Sequence, residues 1–346
     1  MKNSGTTTTK KVDLDSISRE ELLRCRICDL GLSLPRSGLE NYVAKLYQEL
    51  RGKGLSLDPS FYLSDEWGCL DGVPIISIPF YLAHPRLKKL EKEIMLDTEG
   101  GDRESFMKLL RHETGHAYNY AYRLHKRPKW RRLFGAFSKD YSTNYKPRPY
   151  SKRYVRHLDD WYAQCHPDED FSETFAVWLT PGSNWKEKYK KWPAIKKLNY
   201  LDELMNGISS KKPLVTKGKL ERPVNRITAT LKTFYDRKRR EYAHQYPQFY
   251  DGDLKEIFTE YEKKETTLKA ARFLRRQRAD LINVISYWTA ENKFTINQIL
   301  ANLIQRCQQL NLGVDLANQE QVIMDISTYL TILIMNYYYT GTIAGD

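Results

Sequence analysis

The sequence predicts an α+β domain followed by a mainly α-helical extension. Residues 61–67 and 73–82 have the composition of two strands separated by a turn. Residues 102–125 repeat apolar side chains at helical spacing, and long helical patterns continue beyond residue 221. With 346 residues and a hydrophobic content of 41%, the chain is large and apolar enough for one large or two ordinary domains with a proper core.

The amino-terminal part is predicted to be a polar tail followed by two helices. Residues 1–15 have no apolar core, so we expect a disordered tail rather than a signal peptide or an anchor. Ser18 begins the first helix with a capping box, and this helix carries Cys25 and Cys28. The five cysteines are odd in number and widely spread, which predicts no disulfide framework and agrees with a reducing, cytoplasmic compartment. We interpret the two cysteines of the helix as small core residues rather than as a metal or redox pair.

The two predicted strands are joined by a turn at Asp71 and Gly72. Pro74 and Pro79 cannot donate to a strand ladder, so they predict that the second strand, residues 73–82, lies at the edge of its sheet. Such an edge could bind an extended peptide as one more strand, or it could be an ordinary edge protected by its prolines. The sequence leaves both interpretations open.

The motif HETGH at residues 112–116 lies in the middle of the long helix predicted over residues 102–125. His112 and His116 are four residues apart, so they share one helix face and can bind one metal ion. Glu113 lies beside that face, where it can accept a proton from a metal-bound water. Zinc suits imidazole and carboxylate ligands, and a catalytic zinc needs three protein ligands and one water. This is the zincin arrangement, and it requires a third ligand.

A second predicted helix, which starts near Pro167, carries the candidates for the third ligand. We attribute Asp168 and Asp170 to compensation of the helix dipole. Glu169 and Glu173 differ from them because they are four residues apart on one face. Either carboxylate could complete a zinc site, and the other could then accept the N–H of a zinc-bound histidine.

Together, HETGH and YAQCHPDEDFSETFAVWL resemble the bacterial family of zinc-binding metallopeptidases, a gluzincin-like group, and the likeness extends over about residues 28–207. The site pattern is also similar to anthrax lethal factor and the Pro-Pro endopeptidases. This resemblance implies that Glu169 is the third ligand, that Glu173 supports the site, and that Tyr162 helps to stabilise an oxyanion. Ser172 stands where those proteins have alanine, a change that we expect to be harmless. The resemblance implies a peptidase fold and chemistry but no known substrate.

Positive charge and aromatic side chains are interleaved in residues 128–156, which contain nine Lys or Arg, one Asp and seven aromatic residues. Such a segment could bind single-stranded nucleic acid, but no nucleic-acid motif accompanies it. We favour a surface loop whose aromatic side chains pack on the core while the cations face water. The net charge of +13 still favours an acidic partner. We interpret His84, His157 and His166 as structural or capping residues.

The chain is predicted to contain four segments. These are the polar tail (1–15), a zincin-like metallopeptidase domain (16–208), a linker (209–220) and a helical domain of unknown role (221–346). The linker is predicted from its polar, basic composition with Pro and Gly. The last helix is apolar, but Asp325 interrupts it, so a buried bundle helix is favoured over a membrane span.

These patterns predict a cytoplasmic zinc-dependent peptidase, acting as an endopeptidase, with one zinc ion and a peptide or protein substrate. A zinc-activated water would attack the peptide bond, with Glu113 as the general base. The competing interpretation is a basic nucleic-acid-binding or scaffold protein with a structural, non-catalytic zinc site. Glu113 favours catalysis, because a purely structural site has no use for a base at that position.

Overall fold

The structure, a computed structural model, describes residues 13–95, 97–141, 148, 151–158, 161–242 and 251–340. These residues form two compact units. The first contains Thr98–Tyr235 and the described residues before Met95, and the second contains Met95, Asp97 and the described residues after Tyr235. The predicted linker at 209–220 and the first residues of the predicted helical domain therefore lie inside the first unit.

The first unit contains a small sheet and most of the helices. Its helices are α1 (Arg19–Arg24), α2 (Glu40–Gly52), α3 (Pro85–Met95), α4 (Arg103–Ala121), α5 (Pro128–Phe134), α6 (Pro167–Leu179), α7 (Trp185–Lys188), α8 (Ile195–Ile208) and α9 (Leu231–Tyr242), of which α3 and α9 extend past its boundary. Its strands are β1 (Ser60–Ser64), β2 (Gly68–Cys69) and β3 (Ile75–Pro79). This combination of helices with a small sheet is the predicted α+β class.

The strand β3 is the centre of this sheet. β1 pairs with it in parallel, with Ser60 opposite Ile75, and β2 pairs with it antiparallel. The prediction that this strand lies at the edge is wrong, because Pro74 precedes the strand and Pro79 is its last residue, so neither interrupts the ladder. Every residue of β3 is buried, and both β2 and β3 contact α4. The edge strand beside α4 is therefore β2.

The amino-terminal helix is shorter than predicted. α1 forms the predicted capping box but ends at Arg24. Cys25 follows the helix and Cys28 lies in a 3₁₀ turn, so the prediction of two core residues on one helix is wrong; both are half-buried. The backbone pairs here with a segment far along the chain, since the Leu231 N–H donates to the Cys25 carbonyl at 3.0 Å.

Both ends of the first unit differ from the predicted boundaries. Residues 1–12 of the predicted tail lie outside the described residues, and Leu14 is buried rather than part of a disordered tail. Residues 221–235 pack on the first unit, where the rings of Phe80 and Phe234 meet edge-on with their centroids 5.1 Å apart. Aromatic packing of this kind buries apolar area, which explains why the segment belongs to the first unit.

The second unit combines the predicted helices with a sheet that was not predicted. Its elements are α10 (Asp251–Ile257), β4 (Thr259–Glu260), β5 (Thr267–Lys269), α11 (Ala270–Thr289), α12 (Lys293–Gln309), β6 (Leu312–Asp315) and α13 (Gln319–Thr340). β6 pairs antiparallel with β4 and β5, strands too short to show a period in the sequence. Its core includes Leu274, Ile299 and Leu330, all 0% exposed. Within the described residues, each helix is too short or too polar to cross a membrane.

Candidate metal centre

The helix α4 carries the HETGH motif through the interior of the first unit. Its N-cap, Asp102, accepts two backbone N–H groups of the first turn at 2.8 and 3.0 Å, which satisfies donors that have no partner within the helix. His112, Glu113 and His116 are 2%, 8% and 6% exposed. Polar side chains buried to this degree need partners, because isolated burial costs several kcal/mol. The partners of the two histidines come from α6.

The helix α6 packs directly against α4. Its N-cap is His166, whose Nδ1 accepts the Asp168 N–H at 3.1 Å, and Pro167 is the first residue of the helix. The two helices touch where Gly115 faces Ser172: a Cβ atom on Gly115 would lie 2.7 Å from the Ser172 Cα. The small residues at this contact allow the carboxylates of α6 to reach the imidazoles of α4.

Three side-chain atoms from the two helices form a buried triangle. The Glu169 Oε2 atom lies 3.0 Å from His112 Nε2 and 3.2 Å from His116 Nε2, and the two nitrogens are 3.2 Å apart. Zinc binds such atoms tetrahedrally at about 2.0–2.2 Å, which places neighbouring ligand atoms about 3.3 Å apart. The triangle therefore fits one face of a zinc tetrahedron and leaves a fourth direction for water. Within the described residues, this group of three can hold a metal ion.

A carboxylate holds the outer nitrogen of each histidine. His112 Nδ1 donates to Glu173 Oε1 at 2.8 Å, and His116 Nδ1 donates to Asp168 Oδ2 at 2.9 Å. Because an ionised carboxylate only accepts hydrogen bonds, both Nδ1 atoms carry a proton and both Nε2 lone pairs can face the triangle. Glu173 is held in turn by the Leu158 N–H, which lies 2.9 Å from its Oε2. The carboxylates of Glu173 and Asp168 therefore orient the two imidazoles for metal binding.

The attribution of Asp168 and Asp170 to dipole compensation is wrong, because both are buried with specific partners. Besides His116, Asp168 accepts hydrogen bonds from the Tyr120 hydroxyl and the Asn119 amide, both at 2.6 Å. Asp170 forms an ion pair with the buried ammonium group of Lys197. The sequence places several acids side by side at the start of α6, and their spacing does not reveal which partner each one meets.

The charges around the triangle favour a cation between the imidazoles. Burial by itself lowers the pKa of His112, but hydrogen bonds and charges from Glu169 and Glu173 raise it to about 10. Burial also raises the pKa of Glu113, and the neighbouring His112 and His116 partly offset this effect. A metal cation supplies the positive charge that the carboxylates favour while both imidazoles stay neutral.

Two tyrosines approach the triangle from outside α4 and α6. Tyr162, the predicted oxyanion donor, lies in a 3₁₀ turn, and its ring centroid is 5.6 Å from that of His112. The Tyr141 hydroxyl donates to Glu169 Oε1 at 2.9 Å, and its ring stacks on His166 with centroids 3.9 Å apart. Nothing in the sequence distinguishes Tyr141 among 24 tyrosines, so it was not predicted as a site residue.

The other histidines singled out by the sequence have structural contacts. The His157 Nε2 atom donates to the Lys108 carbonyl at 3.0 Å, and the His166 Nε2 atom donates to the Lys139 carbonyl at 2.7 Å. His84 accepts a backbone N–H two residues further on through Nδ1 at 3.3 Å. These contacts agree with structural or capping roles for all three.

The basic and aromatic segment at residues 128–156 divides its side chains between core and surface as predicted, but residues 128–134 form the helix α5 rather than a loop. Trp130 and Phe134 of α5 are buried, whereas the lysine and arginines of the same helix are exposed. Residues 142–147 and 149–150 of the segment lie outside the described residues. Tyr141 departs from the loop interpretation, since its hydroxyl reaches the metal centre rather than the core.

Comparison with known proteins connects this centre to one family. Residues 102–186 match the model of a family described as "putative zinc-binding metallo-peptidase". The matched residues are about a quarter of the chain and include all of α4 and α6. Neither a curated protein nor a solved structure matches the chain. The likeness to anthrax lethal factor therefore rests on the site pattern of the sequence alone. The segment that builds the buried His-His-Glu centre resembles the zinc-binding metallopeptidase family.

Proposed function

We propose that the protein is a zinc-dependent peptidase that acts as an endopeptidase. The observation that carries this proposal is the buried triangle of His112, His116 and Glu169, because three nitrogen and oxygen ligands with a free fourth direction are what a catalytic zinc requires. Glu113 follows the first of these ligands in the same helix and supplies a base. The match of residues 102–186 to a metallopeptidase family supports the same chemistry.

The ligands and their outer partners form one unit. His112, His116 and Glu169 would hold the ion, while Glu173 and Asp168 keep each imidazole in the tautomer that presents Nε2. Zinc at this position would supply the Lewis acid that polarises the scissile carbonyl and activates a water. The outer carboxylates matter for affinity, because the loss of such a partner typically weakens metal binding about 10–100-fold.

Glu113 is the general base of the proposed reaction. It accepts the proton of the attacking water and passes it to the leaving amine. Burial raises its pKa, which brings its proton affinity closer to the value needed for transfer near neutral pH. Its carboxylate does not belong to the ligand triangle, so it is not used to hold the ion.

Tyr162 and the edge strand β2 are the parts of the proposed site that contact the substrate. Tyr162 lies beside His112, where its hydroxyl can donate to the developing oxyanion of the substrate. β2 is an edge strand in contact with α4, so an extended peptide can pair with it and run past the metal centre. Pairing through the backbone suits an endopeptidase, because it does not require a free chain end.

The test compares zinc content and cleavage in the wild type, His112→Ala, Glu113→Gln and Glu104→Gln. Elemental analysis should find one zinc in the wild type and in Glu113→Gln and none in His112→Ala. Cleavage of a quenched peptide library blocked at both ends should fall about 10²–10⁴-fold in Glu113→Gln. Glu104 is the matched control, since it lies in the same helix with its side chain 84% exposed, and its variant should keep both properties.

Three outcomes would contradict the proposal. A folded wild-type protein without zinc, even after zinc is supplied, would exclude the metal centre. Equal cleavage by the wild type and Glu113→Gln would remove the base from the mechanism. Cleavage restricted to peptides with free ends would replace the endopeptidase with an exopeptidase.

A further inference from the structure

The segment that leads to Tyr141 is attached to the start of α6 by three contacts. The His166 Nε2 atom donates to the Lys139 carbonyl at 2.7 Å, and the Tyr141 ring stacks on the His166 ring with centroids 3.9 Å apart at 16°. His166 itself is the N-cap of α6 and accepts the Asp168 N–H. The position of Tyr141 is therefore set by the same residue that sets the beginning of the helix carrying Glu169.

The third contact joins Tyr141 to the metal centre. Its hydroxyl donates to Glu169 Oε1 at 2.9 Å, while the other oxygen of this carboxylate, Oε2, completes the triangle with the two imidazoles. The two oxygens thus have different partners. A carboxylate can bind a metal through one oxygen or through both, and a second bound oxygen would compete with water for the position left open.

We propose that Tyr141 is a positioning residue that keeps Glu169 a one-oxygen ligand. By holding Oε1, the hydroxyl directs Oε2 to the metal and preserves the fourth position for the attacking water. This inference rests on the proposed function, because it assumes that Glu169 binds the ion. It assigns to the aromatic segment at residues 128–156 a part in the metal centre that its composition does not suggest.

The stacking and the hydrogen bond of Tyr141 can be separated by substitution. Tyr141→Phe keeps the ring on His166 and removes the hydroxyl, whereas Tyr141→Ala removes both. Tyr47→Phe is the matched control, because the Tyr47 hydroxyl donates to the Pro59 carbonyl at 2.7 Å and takes no part in the triangle. All variants are made in the full chain.

Two measurements test the role of the hydroxyl without relying on activity. Competition with a chelator should show that Tyr141→Phe binds zinc about 10-fold more weakly than the wild type, as expected for loss of an outer partner. After loading with Co²⁺, its visible absorption should fall, because a four-coordinate site becomes five-coordinate when both oxygens of Glu169 bind. Tyr47→Phe should match the wild type in both measurements.

The outcomes separate this inference from the proposed function. If Tyr141→Phe had the zinc affinity and cobalt absorption of the wild type, the inference would be overturned. This includes the case in which only Tyr141→Ala is impaired, because stacking on His166 would then be the whole role of Tyr141. A wild-type protein that binds neither zinc nor Co²⁺ would instead refute the proposed function. Loss of zinc affinity with unchanged cobalt absorption would also overturn the one-oxygen role.

Discussion

The two units of the chain bury different kinds of side chain. Among the described residues, the buried charged and histidine side chains lie in the first unit, and the buried polar side chains of the second unit are Thr289 and Thr295. The core of the second unit is otherwise apolar. Burial of apolar surface stabilises a fold directly, whereas burial of charge stabilises it only when a partner compensates the lost hydration.

Net charge follows the same division. Residues 236–346 contain 14 Lys or Arg and 14 Asp or Glu, so the whole excess of +13 belongs to residues 1–235. Residues 1–235 have this excess although they bury several acids at the metal centre. The interior of the first unit therefore depends on the compensation of buried charges, whereas that of the second unit depends on apolar packing.

Replacing Lys197 with Met should destabilise the first unit by about 3–5 kcal/mol, because Asp170 would remain buried without its cation. Chemical denaturation of the full chain measures this loss. The double variant with Asp170→Asn should recover part of it, since no carboxylate is then left unpaired. A loss below about 1 kcal/mol for Lys197→Met would show that the pair does not compensate a buried charge.

Removing zinc should loosen the first unit and leave the second unchanged. At free zinc about 1,000-fold above Kd, binding contributes about 4 kcal/mol to stability, which a chelator removes. Hydrogen exchange resolved by peptide should show lower protection in α4 and α6 after chelation and constant protection in α11 and α12. Equal losses in both units would contradict the contrast drawn between their interiors.

Gly115→Ala should destabilise the protein by about 1–3 kcal/mol and weaken zinc binding, because its Cβ would meet the Ser172 backbone at 2.7 Å and push α4 away from α6. Gly207→Ala is the control within α8, since a Cβ there meets nothing within 4 Å. The control should be neutral or more stable by up to about 1 kcal/mol. Thermal unfolding and zinc titration of both variants test the contact.

His157 should give the smallest effect, visible as pH dependence. Burial lowers its pKa from the ordinary value of 6.5, so below that pH the unfolded chain binds a proton that the folded chain does not. The contribution of His157 to the free energy of unfolding is fully present above pH 6.5. It falls as the pH drops below that value, by at most about 1.4 kcal/mol per pH unit. Between pH 7 and 5, His157→Gln should lose less stability than the wild type; identical losses would exclude this contribution.

The sequence could predict features that depend on neighbours within one helix. The start of α6 at Pro167 and the shared face of His112 and His116 both follow from helical spacing and capping. Pairing between strands was less predictable. The prolines of β3 suggested an edge strand, but they lie at its ends, and the short strands of the second unit have no readable period.

Local sequence determined that two imidazoles face one point and that a glutamate follows the first of them, because a helix fixes these positions whatever surrounds it. Tertiary structure decided which acid meets which atom: Asp168 holds the second imidazole, and Tyr141 reaches Glu169 from a segment 28 residues earlier. Such contacts depend on how closely α4 and α6 pack at Gly115 and Ser172, and no spacing within a single element records that distance.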